Sequence, residues 1–207
     1  MKQLGLLLQS CGSGFPRPEL VEGQPRFDTM KMEEKQIMIL GVGNLLFTDE
    51  GVGVRVAEAL QDRYEFPENV KVVDGGTLGM NLLGVVSEVD HLIVVDAVRN
   101  GGEPGTLYRL AGEEIPKRIL AKNSLHQVDL LEALTCCQAL DKVPETVILG
   151  VEPEDITTLG IDMTPTVRVR IDDLVEAALK ELTSLGGSYC LRKEGDSCVE
   201  SEFVRRI

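Results

Sequence analysis

The feature that most constrains this chain is an alternation that runs from residue 36 to residue 185. Short runs rich in valine and isoleucine take turns with longer segments whose apolar residues recur every three or four positions. The first kind reads as buried strands, the second as helices with one apolar face. Strands are predicted over Gln36–Gly41, Val70–Asp74, His91–Asp96, Gly105–Leu110 and Thr146–Val151, and helices over Gly51–Tyr64, Leu78–Val89, Ser124–Leu140 and Ile171–Leu185. Strands separated by helices give a mostly parallel sheet covered on both faces. The expected fold class is therefore α/β, a three-layer α/β/α arrangement around a twisted five-stranded sheet. The link from Asp96 to Leu107 is shorter than the roughly dozen residues a parallel crossover needs. The strand that follows it is expected to be antiparallel, at the sheet edge.

A chain of 207 residues, 43% of them apolar, has enough material for one good-sized core. Its formal charge of −13 argues against a nucleic-acid binder. Basic and acidic residues balance in residues 1–36 and again in 186–207, so the segment between them carries the whole excess. Such an acidic surface suits a soluble protein or one that meets a basic partner. Residues 1–35 lack periodicity and are broken at Gly12-Ser13-Gly14-Phe15-Pro16-Arg17-Pro18, so they read as an N-terminal extension, with natural initiation expected at Met30 or Met32. Residues 36–185 form the expected domain, and 186–207 a polar tail. The opening Met1–Cys11 resembles a lipoprotein signal, but its apolar stretch is shorter than the ~7–15 residues of a signal core. No stretch approaches the ~18 apolar residues of a membrane span. A cytoplasmic location without membrane insertion is expected. The five cysteines are odd in number, two are adjacent and none forms a CxxC pair, which suggests free thiols in a reducing compartment. Cys136 and Cys137 fall in an apolar helical pattern and read as packing residues. A metal or disulfide role for Cys190 and Cys198 stays open.

Chemistry is expected at one rim of the sheet. In an α/β fold, sites form at the carboxyl ends of the strands. Asp74 and Asp96 end two strands and so share that rim. Glu50 follows the first strand through the loop Gly41-Val42-Gly43-Asn44-Leu45-Leu46-Phe47-Thr48-Asp49 and stands where a helix begins. His126 lies in the first turn of a helix capped by Asn123 or Ser124. That helix feeds the fifth strand and runs antiparallel to it, so its amino end also lies over the carboxyl rim. Glu50, Asp96 and His126 are thus candidate metal ligands. Two carboxylates and an imidazole suit zinc, nickel or iron, and three protein ligands leave positions open for water or substrate. Each residue also has a structural explanation. Glu50 can favour a helix amino end, worth about 0.3–1 kcal/mol. Asp96 can cap a turn, and His126 can be a solvated first-turn residue. His91 starts its strand at the opposite edge and reads as structural. Gly75-Gly76 allow close backbone approach or positive φ, and an extended peptide could lie there.

A dinucleotide-binding fold is the rival reading, since Gly41-Val42-Gly43 follows a strand and Asp74 ends the next. Two details oppose it. The third glycine of the fingerprint is replaced by Leu46, and Glu50 would repel a pyrophosphate where backbone amides are wanted.

The run Gly41–Arg55 resembles the opening motif of the hydrogenase maturation endopeptidases. Val73-Asp74-Gly75-Gly76-Thr77-Leu78-Gly79-Met80, His91–Ala97, Glu103-Pro104-Gly105-Thr106, Ser124-Leu125-His126-Gln127, Gly150-Val151-Glu152-Pro153 and Thr164-Pro165-Thr166 follow in the family's order. The resemblance covers about residues 36–184. It implies an endopeptidase that removes the C-terminal peptide from the large-subunit precursor of a nickel-iron hydrogenase. It maps the metal ligands onto Glu50, Asp96 and His126. The nickel would be carried by the precursor and read by the protease, although zinc or cadmium could occupy the same residues. The resemblance gives Asp74 a part in recognition or cleavage, as in an aspartic-type endopeptidase, together with Glu50 and Asp96. Gly75, Gly76 and Thr77 would contact the substrate. The residues offer no convincing nucleophile and no H-E-x-x-H motif. A non-catalytic nickel-sensing chaperone using the same ligands is the alternative.

Overall fold

A computed structural model describes residues 34–76, 83–112, 114–115 and 143–192. Its five-stranded sheet contains β1 (Ile37–Val42), β3 (Val70–Gly76), β4 (His91–Ala97), β5 (Leu107–Ala111) and β6 (Glu145–Val151). The spatial order is β3-β1-β4-β6-β5. All neighbours are parallel except β5, which pairs antiparallel with β6 at one edge. The α/β class, the five strands and the single antiparallel edge strand are therefore as expected.

Strand alternation divides the core in two. On β1, Ile37 and Ile39 face one layer while Met38, Leu40 and Val42 face the other. On β4, Ile93, Val95 and Ala97 join the first set, and Leu92 and Val94 the second. Every residue of both strands is buried, which explains why they read as continuous apolar runs rather than alternating ones. The first layer is covered by α1 (Val52–Arg63), through Val52, Val56 and Leu60, and by α4 (Ile171–Ser184), through Leu174, Val175, Ala178, Leu179 and Leu182. On the second face lie Val86, from α2 (Leu83–Val86), together with Val89 and Ile115. The helix predicted over Ser124–Leu140, with Cys136 and Cys137, lies outside the described residues, as do residues 78–82 of the predicted Leu78–Val89 helix.

Two elements differ from expectation. A short α3 (Pro165–Arg168) precedes α4. Thr164 caps its start, accepting a hydrogen bond from the Val167 amide, and Pro165 occupies the first turn, where a missing N–H costs nothing. A second, two-stranded sheet pairs β2 (Tyr64–Glu65) antiparallel with β7 (Cys190–Leu191). Order thus continues past the last long helix: Ser188 and Cys190 are buried, and Tyr189 stacks edge-on against Tyr64 at 5.4 Å. The polar composition after residue 186 hid this, because the contact depends on α1 and α4 lying side by side. Cys190 is also disulfide-bonded, the role left open for it, and this corrects the general expectation of free thiols. An odd count and the lack of a CxxC pair do not prevent one bridge. Its partner lies outside the described residues.

Candidate active site

The strand register brings two predicted residues to the same rim. Gly41 stands opposite Asp74 on one side and Val95 on the other, and Asp96 pairs with Gly150. Asp74 and Asp96 therefore lie at nearly one level across the sheet. Their environments differ. Asp96 is buried, and its Oδ1 accepts the Ala97 amide at 2.8 Å. Asp74 is exposed, and its Oδ1 accepts the Gly76 amide at 2.8 Å, closing the turn that leaves β3. Gly75 is buried, and Gly76 has a φ of +43°, as its place at the rim suggested.

Glu50 reaches the rim through a folded-back loop. The chain leaves β1 at Gly43, turns through Asn44–Phe47 and enters a 3₁₀ turn at Thr48–Gly51. Asn44 donates its amide to the Glu50 carbonyl at 3.2 Å, and the Glu50 amide donates to Phe47 at 2.8 Å. Gly43 is required there: its φ is +142°, and a Cβ would stand 1.9 Å from the Glu50 carbonyl oxygen. Helix α1 then departs with Gly53 so close to β4 that a Cβ would stand 2.1 Å from the Val95 carbonyl oxygen. The glycines of the motif thus seat Glu50 between the ends of β1 and β4, beside the strand that carries Asp96. Glu50 itself is half-buried. His126 and Thr77 lie outside the described residues. Among the described residues no three His, Cys, Asp or Glu side chains are grouped to hold a metal ion.

Two further acids at this rim were not singled out from the sequence. Asp49 is fully buried. Its Oδ2 accepts the amides of Glu154 at 2.9 Å and Asp155 at 3.0 Å, and its Oδ1 accepts the amide of Thr164 at 2.8 Å. The Thr164 hydroxyl lies 3.0 Å from both oxygens. One carboxylate therefore fastens the turn that holds Glu50 to a segment more than a hundred residues away. Thr48 reinforces the joint, its hydroxyl donating to the Asp155 carbonyl. Glu152, at the end of β6, does the same for the loop after β4. Its carboxylate accepts the amides of Asn100, Gly101 and Gly102 and the hydroxyl of Tyr108, the last at 2.7 Å. Burial opposes its ionisation, yet the Tyr108 hydroxyl and the three amides together hold its carboxyl below the ordinary value. Burial and the same bond to Glu152 push the Tyr108 hydroxyl up. The sequence signal for both acids was their place inside the motifs, immediately before Glu50 and immediately after Val151. What they touch was not readable there.

At the other edge of the sheet, His91 is buried at the start of β4, in keeping with a structural role. Lys35 Nζ donates to its Nε2 at 3.0 Å. Its Nδ1 lies 3.2 Å from Glu145 Oε2 but lacks hydrogen-bond geometry.

Comparison with known proteins matches residues 54–181 to the family model described as hydrogenase maturation protease. The chain belongs to the hydrogenase maturation protease family. It is 42% identical over 153 residues to the hydrogenase 2 maturation protease of Escherichia coli, covering 73% of this chain and 93% of that one. It is 39% identical over 173 residues to the hydrogenase expression/formation protein HupD of Thiocapsa roseopersicina, covering 83% and 77%. Among solved structures, the hydrogenase maturating endopeptidase HybD from E. coli superposes with a TM-score of 0.72 at 41% identity, over 76% of this chain and 98% of that one. A member of this family is an endopeptidase, so the protein is an enzyme acting on a peptide bond. The dinucleotide reading falls away with that membership.

Proposed function

We propose that this protein removes the C-terminal peptide from the large-subunit precursor of a nickel-iron hydrogenase, and that it recognises precursor-bound nickel through Glu50, Asp96 and His126. The observation that supports the reading is that the turn carrying Glu50 and the strand end carrying Asp96 lie at one rim of the sheet, in a member of a hydrogenase maturation protease family. A half-buried and a buried carboxylate joined by an imidazole form a borderline donor set that suits nickel and would also accept zinc or cadmium. Asp96 is oriented by its own backbone, and Glu50 by the loop that Asp49 fastens. Asp74 is exposed at the same level of the sheet, where it can meet a peptide chain. We assign the extended tail of the precursor to Asp74, Gly75, Gly76 and Thr77, and a part in cleavage to Asp74, Glu50 and Asp96. Residues 36–185 are proposed to be the protease domain, flanked by an N-terminal extension and a C-terminal tail. Among the described residues no helix is long and apolar enough to cross a membrane, and we place the protein in the cytoplasm.

The test mixes the protein with nickel-loaded and nickel-free precursor and follows the precursor mass. Loss of the C-terminal peptide from the loaded form alone is the expected outcome. Equal cleavage of both forms would remove nickel recognition. Binding of the loaded form without cleavage would replace the protease with a nickel-sensing chaperone.

A further inference from the structure

Beside the Glu50 turn, two loops are zipped together as a fragment of parallel sheet. Phe47 bridges to Gly160, the Gly160 amide donates to the Leu46 carbonyl at 2.9 Å, and the Thr48 amide donates to the Gly160 carbonyl at 2.8 Å. Leu159 and Ile161 flank Gly160, and Leu46 precedes Phe47, so all three stand within one residue of the bridge. All three are exposed: Leu46 60%, Leu159 73% and Ile161 66%. Three of the large exposed apolar side chains in the described residues thus share one short ribbon.

That ribbon is rigid although it is neither helix nor strand. The Asp49 carboxylate ties its base at Glu154, Asp155 and Thr164. Asn44 Oδ1 accepts the Leu46 amide at 3.0 Å. Asp155 Oδ1 accepts the amides of Thr157 and Thr158, at 2.8 Å and 3.1 Å. Bonds from Thr158 and Thr157 hold that carboxyl far below its usual range, so it stays charged and the turn stays closed. Apolar side chains held in place lose little freedom on contact, which is what an effective anchor needs. Exposed acids border them, Glu154 on one side and Asp162 on the other, the latter 3.5 Å from the Arg168 guanidinium.

We propose that the ribbon of Leu46, Leu159 and Ile161 is a docking surface for the folded body of the precursor, through an apolar contact bordered by basic side chains. The inference rests on the protease reading above. Two features select this occupant. The ribbon continues directly into the turn that carries Glu50, so a precursor that presents its metal to Glu50 comes close to it. The acidic border inside a domain that carries the full −13 excess favours a partner presenting lysine or arginine.

The test uses the full chain and the nickel-loaded precursor. In the double variant Leu159→Ser/Ile161→Ser, KM for the precursor should rise about tenfold, with kcat within about twofold of wild type. Thermal unfolding should be unchanged, because both side chains are solvated. If that variant unfolds, Leu46→Ser serves in its place. Asp162→Asn should raise KM severalfold at low salt and have no effect at high salt. An unchanged KM in a folded variant that still cleaves would overturn the docking surface and leave the protease reading intact. If the wild type elutes as a dimer that the double variant breaks while KM holds, the ribbon joins two copies of this chain and the proposal also fails. If wild-type protein cleaves no precursor, the protease reading falls and the docking surface falls with it.

Discussion

The two edges of the sheet are made from the same strands but use their acids differently. At the amino edge, backbone meets most of the backbone: the Asp90 and His91 amides donate to Gln36, and the Glu145 amide donates to Asp90, while one exposed acid, Asp90, accepts the Gln36 amide at 2.8 Å. The acid there that faces a buried partner, Glu145, is 73% exposed beside His91. At the carboxyl rim the chain makes long loops, and loops leave amides over. Asp49 and Glu152 are withdrawn from water to collect those amides. Beside them stand Glu50, Asp74 and Asp96, the acids proposed to act on substrate. The rim thus holds one class of carboxylate that fixes loops and another that the fixed loops present.

This contrast can be broken most directly at Glu50. Glu50→Gln should drop precursor processing below detection by mass spectrometry while the unfolding transition stays within about 1 kcal/mol of wild type. His126→Ala should behave alike. Full processing by either would remove the assignment.

Asp49→Ala should show the opposite pattern, with stability as its first casualty. It leaves three amides and a hydroxyl without their acceptor, and a loss of about 4 kcal/mol or more is expected in denaturant unfolding. A loss under about 1 kcal/mol would mean that water replaces the carboxylate and that the clamp is dispensable.

Glu152→Gln comes next, at about 1–3 kcal/mol, because an amide can accept but not as a charge. Its pH signature is specific. The folded carboxyl titrates below its unfolded value, so its contribution is present above about pH 4.5 and is lost as the pH falls through the lowered folded value. The variant should therefore lose less stability on acidification than wild type. Parallel acid profiles would contradict the cause given for the lowered value.

The smallest effect is expected at the amino edge. Glu145→Gln should change stability by less than about 0.5 kcal/mol, since the Glu145 carboxylate is mostly solvated. An effect as large as that of Glu152→Gln would erase the contrast between the edges.

Much of this was legible before any coordinates. Buried parallel strands are apolar on both faces, so β1, β4 and β6 stood out as runs of valine, isoleucine and leucine. The stripes of α1 and α4 stood out because each helix buries only one side. The short link after Asp96 required an antiparallel neighbour, since no crossover fits within it. Topology alone then sent Asp74, Asp96 and Glu50 to a single rim. What the sequence could not determine is which acid does which work. Asp49 and Glu50 are neighbours of like chemistry, and nothing local says that one is sealed against amides of residues 154, 155 and 164 while the other is left half-exposed. The same holds for β7, for the bridged Cys190 and for the ribbon that displays Leu159 and Ile161. Each depends on contacts between segments far apart in the chain, and local propensity carries no information about a partner a hundred residues away. Periodicity records which side of an element is buried; only the folded chain decides what lies against it.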